Sequence, residues 1–378
     1  MKESENLLID CTYIGDDLPV TSSLTIYGTR LIQGFLMYSH YHVHVLVWRE
    51  REDEIDNLVG QEFEKIVLDR SDLAISWRLL CKLSGYLPQK LKQEVRRRNI
   101  TTVINPYHYS VLFFYPKNIR QFGVIHDLFL HDVKSERGKI FYFLWRNYQK
   151  ILLKKFTGLI SISKKTHDTL LQREGVDSSI VYNSISFDIS LTEEPVERIM
   201  GKRYILDVNR FYKYKNAETL IRALGLIKKD IPHLLYLKGG PEDEEERRNL
   251  EIIVAEEGLE DRVVFDLNDR TNGELRFLYS HADLFVSPSL QEGFGYTPVE
   301  AAIMKTPILV SDIEAFRDVL CGKVATFDPC SPEDLAKKIL MIISNPPSEQ
   351  EKNELAEFFL DRYSVKNQIL QFEAIIKS

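Results

Sequence analysis

Two carboxylates, Glu292 and Glu300, bracket a glycine-containing loop within Ser287-Pro288-Ser289-Leu290-Gln291-Glu292-Gly293-Phe294-Gly295-Tyr296-Thr297-Pro298-Val299-Glu300-Ala301-Ala302. The stretch reads as strand, loop, helix. Gly293 and Gly295 let the backbone approach a ligand closely or take positive φ. Thr297 suits an N-cap, Pro298 the first helical position and Glu300 the third. Loop amides and a helix N-terminus would then face an anion such as a diphosphate. The same residues also have a structural reading: Thr297-x-x-Glu300 is a capping box and Glu292 a solvated loop charge. Together, two carboxylates around Gly-Phe-Gly at the carboxyl end of a strand favour a binding site, since open α/β sheets bind ligands there.

Such residues need a scaffold. At 378 residues the chain exceeds one ordinary core, so two domains are expected. Hydrophobic content of 44% with 28% charged residues is globular, and a net charge of −7 argues against a chain-wide nucleic-acid binder. Cys11, Cys81, Cys321 and Cys330 show no CxxC pair, which fits free thiols in a reducing cytoplasm. The acidic start lacks the shape of a signal peptide. No apolar run is long enough for a bilayer, so any membrane contact is expected to be peripheral.

Short apolar runs alternate with segments of helical period, the pattern of a parallel sheet with crossover helices. Strands are predicted near Leu7–Ile14, His42–Trp48, Lys65–Asp69, Thr101–Asn105, Gly123–His126 and Gly158–Ile162, with helices over Ser22–Tyr38, Asp72–Arg98, Glu136–Lys155 and Lys164–Glu174. A second series has strands at Tyr204–Val208, Leu234–Lys238, Val263–Asp266, Leu284–Ser287, Ile308–Ser311 and Val324–Phe327. The expected organisation is a first domain over 1–183, a polar linker over 184–202, a second domain over 203–346, and a helical stretch over 347–378 that crosses back to the first domain. Two doubly wound α/β domains in tandem would face a central cleft. His126 and Asp127 end a strand of the first half, an active-site position; a histidine satisfied by a strand-end hydrogen bond is the alternative. His42 and His44 would share a strand face, with His40 nearby. No carboxylate or cysteine cluster accompanies them, and zinc needs three or four ligands, so no metal site is expected.

The Glu292–Glu300 segment resembles the E-x7-E element of retaining GT-B glycosyltransferases, particularly the large family numbered four (group 1). The likeness runs upstream through Leu275–Tyr279 and His281-Ala282-Asp283, and downstream through Thr306–Asp312 to Phe327-Asp328-Pro329. It implies that Glu292 contacts the transferred sugar and that Glu300 holds the ribose hydroxyls, with Gly293, Phe294, Gly295, Tyr296 and Thr297 completing the donor loop. Asp207–Ala217 looks like the family's first strand and loop of the donor domain, where Arg210 and Lys215 match the cations that hold the diphosphate. Fixed cations suit that task because the leaving group gains negative charge, Arg as a fork and Lys as a point charge. Gly239, in a turn directly after a strand, falls beside the donor by the same resemblance. His126-Asp127 is similar to the family's His-Asp pair, with His126 directed at the donor sugar or reacting centre.

The resemblance implies a metal-independent, retaining transfer of a hexose-type sugar from a nucleotide-diphosphate donor to a glycan or lipid-linked glycan, in the cytoplasm or at the inner face of the membrane, without a bound cofactor. The rival readings are a GT-B phosphorylase or epimerase, and a catalytically silent sugar-nucleotide-binding or scaffold protein. Some positions depart from the family. Only Gly15 stands where a glycine-rich N-terminal loop is usual, with Ser22 or Ser23 left to cap the following helix. Asn209 replaces a frequent glycine, and Lys305 a small residue. The basic, aromatic stretch 134–155 could rest on an anionic membrane or simply pack its apolar side on its own sheet.

Overall fold

Aliphatic and β-branched runs form strands whose residues are mostly buried, as expected where helices cover both faces of a parallel sheet. The computed structural model describes residues 5–14, 22–69, 89–108, 113–126, 147, 149–185, 191–240 and 244–378. The chain divides into two units, Met1–Ser184 with Val365–Ser378, and Ile185–Ser364.

In the first unit the described elements are β1 (Asn6–Asp10), α1 (Ser23–Tyr38), β2 (His42–Trp48), α2 (Glu52–Val59), β3 (Glu64–Leu68), α3 (Gln89–Arg97), β4 (Ile100–Asn105), β5 (Arg120–Ile125), β6 (Gly158–Ser161), α4 (Lys164–Glu174) and β7 (Ser179–Ile180). The strands pair in parallel in the order β3-β2-β1-β4-β5-β6-β7. Ser22 caps α1 by accepting from the Thr25 amide at 3.1 Å, one of the two serines suggested for that role. Gly15, Asp127 and most of the basic aromatic stretch 134–155 lie outside the described residues.

The second unit contains β8 (Tyr204–Val208), α5 (Ala217–Ile227), β9 (Leu234–Lys238), α6 (Glu244–Glu256), β10 (Val263–Asp266), α7 (Asn272–Ser280), β11 (Leu284–Ser287), α8 (Tyr296–Ile303), β12 (Ile308–Ser311), α9 (Glu314–Val319), β13 (Ala325–Phe327), α10 (Pro332–Ser344) and α11 (Glu349–Arg362). Its parallel sheet runs β10-β9-β8-β11-β12-β13. Both sheets therefore have the doubly wound order, reversing at β1/β4 and at β8/β11. Loops that leave the carboxyl ends on either side of such a reversal diverge and open a crevice.

Two stretches differ from their sequence reading. The polar segment expected to be a linker is fastened to the second unit over its described part. The Glu194 amide donates to the Gly273 carbonyl at 3.1 Å, the Thr271 hydroxyl donates to Glu194 at 2.7 Å, and Arg276 donates to the Leu191 carbonyl at 2.7 Å. Its polarity serves surface hydrogen bonds. The last helical stretch is two helices, not one. α11 belongs to the second unit, and α12 (Val365–Lys377) to the first. α12 packs on α1, with Phe35 edge-on to Phe372 at 5.9 Å, and Gln368 donates to the Tyr182 carbonyl at 3.2 Å. Gly34 permits this approach: a Cβ there would stand 2.7 Å from Val365 and 2.8 Å from Ile369.

Candidate active site

The β8/β11 reversal positions the charged residues of the second unit. β8 ends in Val208, and the chain continues through Asn209 and Arg210 into a short 3-10 turn, Lys213–Lys215. β11 ends in Ser287 and enters the Pro288–Gly295 loop. The two loops are sewn together. The Leu290 amide donates to the Tyr214 carbonyl at 2.7 Å, and the Asn216 side chain donates to the carbonyls of Pro288 and Pro329 at 3.1 and 3.0 Å. On this frame Lys215 Nζ meets Glu292 Oε1 at 2.6 Å, with side-chain exposures of only 14% and 11%. Ser289 donates to the same carboxylate oxygen at 2.8 Å. The pair expected to touch diphosphate and sugar thus forms one ion pair at the carboxyl edge of the sheet.

Arg210 lies against Gly240. A Cβ there would come within 3.0 Å of Arg210 Nε, so the turn after β9 is glycine because the guanidinium passes over it. The neighbouring Gly239 amide donates to the Asp266 carbonyl at 2.9 Å. Arg210 also sits over the Tyr212 ring at 5.7 Å and Lys215 over the Tyr214 ring at 5.5 Å, while the two rings stack at 5.5 Å and 18°. These contacts form a ladder of cation, ring, ring and cation that holds both charges within attractive range of an aromatic face. Sequence reasoning missed both tyrosines. Their i, i+2 spacing beside two cations was the available signal.

α8 does not form the anticipated capping box. Its N-cap is Gly295, at φ 86° and ψ 72°, with no side-chain cap; Tyr296 and Thr297 enter the first turn. Glu300 consequently has a different partner: the Tyr279 hydroxyl donates to it at 2.8 Å. Burial, and secondarily Glu300 itself, hold the Tyr279 phenol well above its ordinary value, so it remains a donor. Phe294 is buried, its ring edge-on to Tyr363 at 5.2 Å and tilted against Tyr296 at 5.0 Å. Its side chain is an anchor for the loop.

Beneath the pair lies Asp207, fully buried at the end of β8. Burial is the main force pushing its carboxyl up to about 7; the Asn209 hydrogen bond and Lys215 oppose this, and Glu292 adds to it. Asn209 donates to Asp207 at 2.5 Å, which gives the residue standing where glycine is frequent a specific task. A carboxyl whose folded value is raised binds its proton more tightly when folded. The stability it contributes is full below about pH 4 and is lost as pH rises towards 7, by on the order of 4 kcal/mol. Asp207→Asn is therefore expected to flatten the pH dependence of the urea midpoint between pH 5 and 8, and to be the more stable protein at pH 8. A wild-type midpoint already flat across that range would refute this reading.

His126 stands just beyond β5 in the first unit. Its Nε2 donates to the Pro106 carbonyl at 2.8 Å, and the Tyr27 ring meets it edge-on at 4.5 Å. Because a carbonyl only accepts, Nε2 carries the proton and Nδ1 is the acceptor of the ring. Burial lowers its pKa to about 4, so the ring is neutral near pH 7. The strand-end hydrogen bond anticipated as the structural alternative is present at one nitrogen, and the other retains hydrogen-bonding capacity.

Residues 190–357 match the family described as Glycosyl transferases group 1. The match lies wholly within the second unit. The O-antigen chain mannosyltransferase RfbU of Salmonella typhimurium is 29% identical over 183 residues, 48% of this chain and 49% of the relative. The chain spans about half the length, or less, of the curated relatives it matches first. Among solved structures, a glycosyltransferase from Rickettsia africae aligns at a TM-score of 0.73 with 15% identity, over 99% of this chain and 98% of the other. The Anabaena protein HepE, solved with UDP and glucose, aligns at 0.70 with 15% identity, over 99% of both chains. The fold is GT-B, built from two Rossmann-like units. Among the described residues, no helix is long and apolar enough to cross a membrane.

Proposed function

We propose that this protein is a retaining, metal-independent glycosyltransferase that moves a hexose from a nucleotide-diphosphate sugar to a glycan or lipid-linked glycan during polysaccharide or glycoconjugate assembly. Mannose is the favoured hexose, because relatives named as mannosyltransferases recur among the matches. The observation that carries the reading is the shielded Lys215–Glu292 pair at the β8/β11 crevice, with Arg210 on the same loop after β8. A diphosphate takes the ammonium and guanidinium as its counter-charges, which frees the Glu292 carboxylate for hydroxyls of the sugar. Two fixed cations supply the electrostatic role a divalent ion would otherwise fill. Glu300, oriented by Tyr279, accepts from ribose hydroxyls.

In the transfer, the bond from sugar C1 to the phosphate oxygen breaks and its electron pair leaves with the diphosphate. The acceptor oxygen bonds to C1 on the same face, and its proton passes to the departing phosphate oxygen. His126, neutral and accepting at Nδ1, suits a contact to a sugar hydroxyl. Asp127 keeps its proposed place beside it on sequence grounds. A cytoplasmic site fits the free cysteines among the described residues.

The test is a thermal-shift panel of UDP, GDP, ADP, CMP and dTDP sugars with and without EDTA. A ligand at a hundredfold its Kd stabilises the folded state by about 2.7 kcal/mol. One nucleotide sugar is expected to raise the melting temperature regardless of EDTA, and Glu300→Ala and Arg210→Ala are expected to abolish the rise. No shift with any donor would favour a scaffold role, and inversion at C1, read by NMR of the product, would overturn the retaining assignment.

A further inference from the structure

The parallel register of the first unit brings three possible metal ligands together at the amino ends of its strands, the edge opposite His126. His42 opens β2, Glu64 opens β3 and pairs with His44, and alternation along β2 places both histidines on one face, their rings 4.8 Å apart. His42 Nε2 lies 2.9 Å from Glu64 Oε1, and His44 Nδ1 lies 3.1 Å from Glu64 Oε2. One ligand atom from each residue falls within 4.8 Å of the others. The carboxylate missing from the local sequence is thus supplied by the neighbouring strand.

The tautomer of His44 decides what this cluster wants. Arg98 Nη1, which can only donate, bonds His44 Nδ1 at 3.1 Å and also bonds Glu64. Nδ1 is therefore a lone pair, and the Nε2 proton points to Asn6 Oδ1 at 3.2 Å. A metal-ligating histidine is commonly held in this way, its second nitrogen donating to an oxygen that fixes the ring. A lone pair and a carboxylate oxygen 3.1 Å apart repel unless a cation sits between them. Here a guanidinium N–H fills that role. Arg98 has other partners, Glu94 at 2.9 Å and the Lys65 carbonyl at 3.3 Å, on which it can stay when displaced.

We propose that His42, His44 and Glu64 form a site for a borderline-soft divalent ion such as Zn2+ or Co2+, with Arg98 as the competing internal cation. Two imidazoles and one carboxylate make three protein ligands, and water completes a tetrahedron. The ion is structural: it ties the edge strand β3 to β2, at the edge remote from the strand ends that carry His126.

EDTA-treated, dialysed protein titrated with Zn2+ by calorimetry, and with Co2+ by visible absorption, tests this. One equivalent is expected to bind, with a tetrahedral cobalt spectrum. His42→Ala, at an exposed position, should weaken binding by about tenfold or more, the scale seen when a metal shell is damaged. Arg98→Met, which removes the competitor and keeps the apolar stem, should tighten it. Absence of saturable binding, equal affinity in His42→Ala, or weaker binding in Arg98→Met would each overturn the site and leave the cluster an ordinary ion-pair network.

Discussion

Lys215→Met is expected to cut transfer by about 10²–10³-fold, the loss seen when one preorganised charge-stabilising group is removed from a reaction centre. The methionine keeps the length of the side chain and its packing beside Tyr214. What disappears is the charge 2.6 Å from Glu292. Affinity for the bare nucleoside diphosphate should fall as well, because the ammonium is proposed to act on the diphosphate both before and during bond cleavage. Glu292→Gln should behave differently. Its carboxylate is assigned to the sugar, so kcat should fall by a similar factor while nucleoside-diphosphate affinity holds or rises, Lys215 having lost its internal competitor. The double variant should be little worse than the poorer single one, since residues acting as a unit are strongly non-additive. Initial rates paired with nucleoside-diphosphate titrations decide the matter. Near-wild-type transfer by Lys215→Met would remove the cation from the chemistry and leave the pair a structural clasp.

The strands and the charged positions were legible in the sequence for different reasons. Five strands of the second unit, from Tyr204–Val208 to Ile308–Ser311, begin and end where the apolar runs do. Fully buried parallel strands are continuous apolar runs bounded by turn residues, so their limits are written locally. Helix ends were harder. Thr297-Pro298-x-Glu300 satisfies a capping-box pattern, yet the N-cap is Gly295, because its left-handed backbone starts the helix earlier and Glu300 turns to Tyr279. Partners distant in sequence stayed invisible. Ser289 near Glu292 could be guessed from spacing, but Glu64 beside His44 depends on strand register, and Asp207 beneath Lys215 on burial. The break at Tyr363–Ser364 between α11 and α12 carries neither proline nor glycine. Instead, packing marks it: Tyr363 is buried, stacks on Phe359 at 5.9 Å and bonds the Val319 carbonyl at 2.5 Å, which fastens α11 to its own unit.

Gly295→Ala should destabilise the second unit by about 2–5 kcal/mol, through two separable causes. The first is conformational: φ of 86° places the residue where a side chain meets its own backbone. The second is steric: a Cβ would stand 2.6 Å from Phe316 Cε1, and Phe316 is buried on α9 with little room to yield. Gly322 separates the two. It has φ of 65° with nothing within 4 Å of an added Cβ, so Gly322→Ala carries the conformational cost alone, about 1–2 kcal/mol. Urea midpoints of the two variants should differ by the packing component, and Phe316→Leu in the Gly295→Ala background should recover part of it. Because the Gly293–Gly295 loop is proposed to meet the donor, the nucleotide-sugar thermal shift should also weaken in Gly295→Ala and persist in Gly322→Ala. Equal stability of the two alanine variants would mean that α9 gives way freely and that the glycine answers to φ alone. A full nucleotide shift in Gly295→Ala would mean that the loop is not where the donor sits.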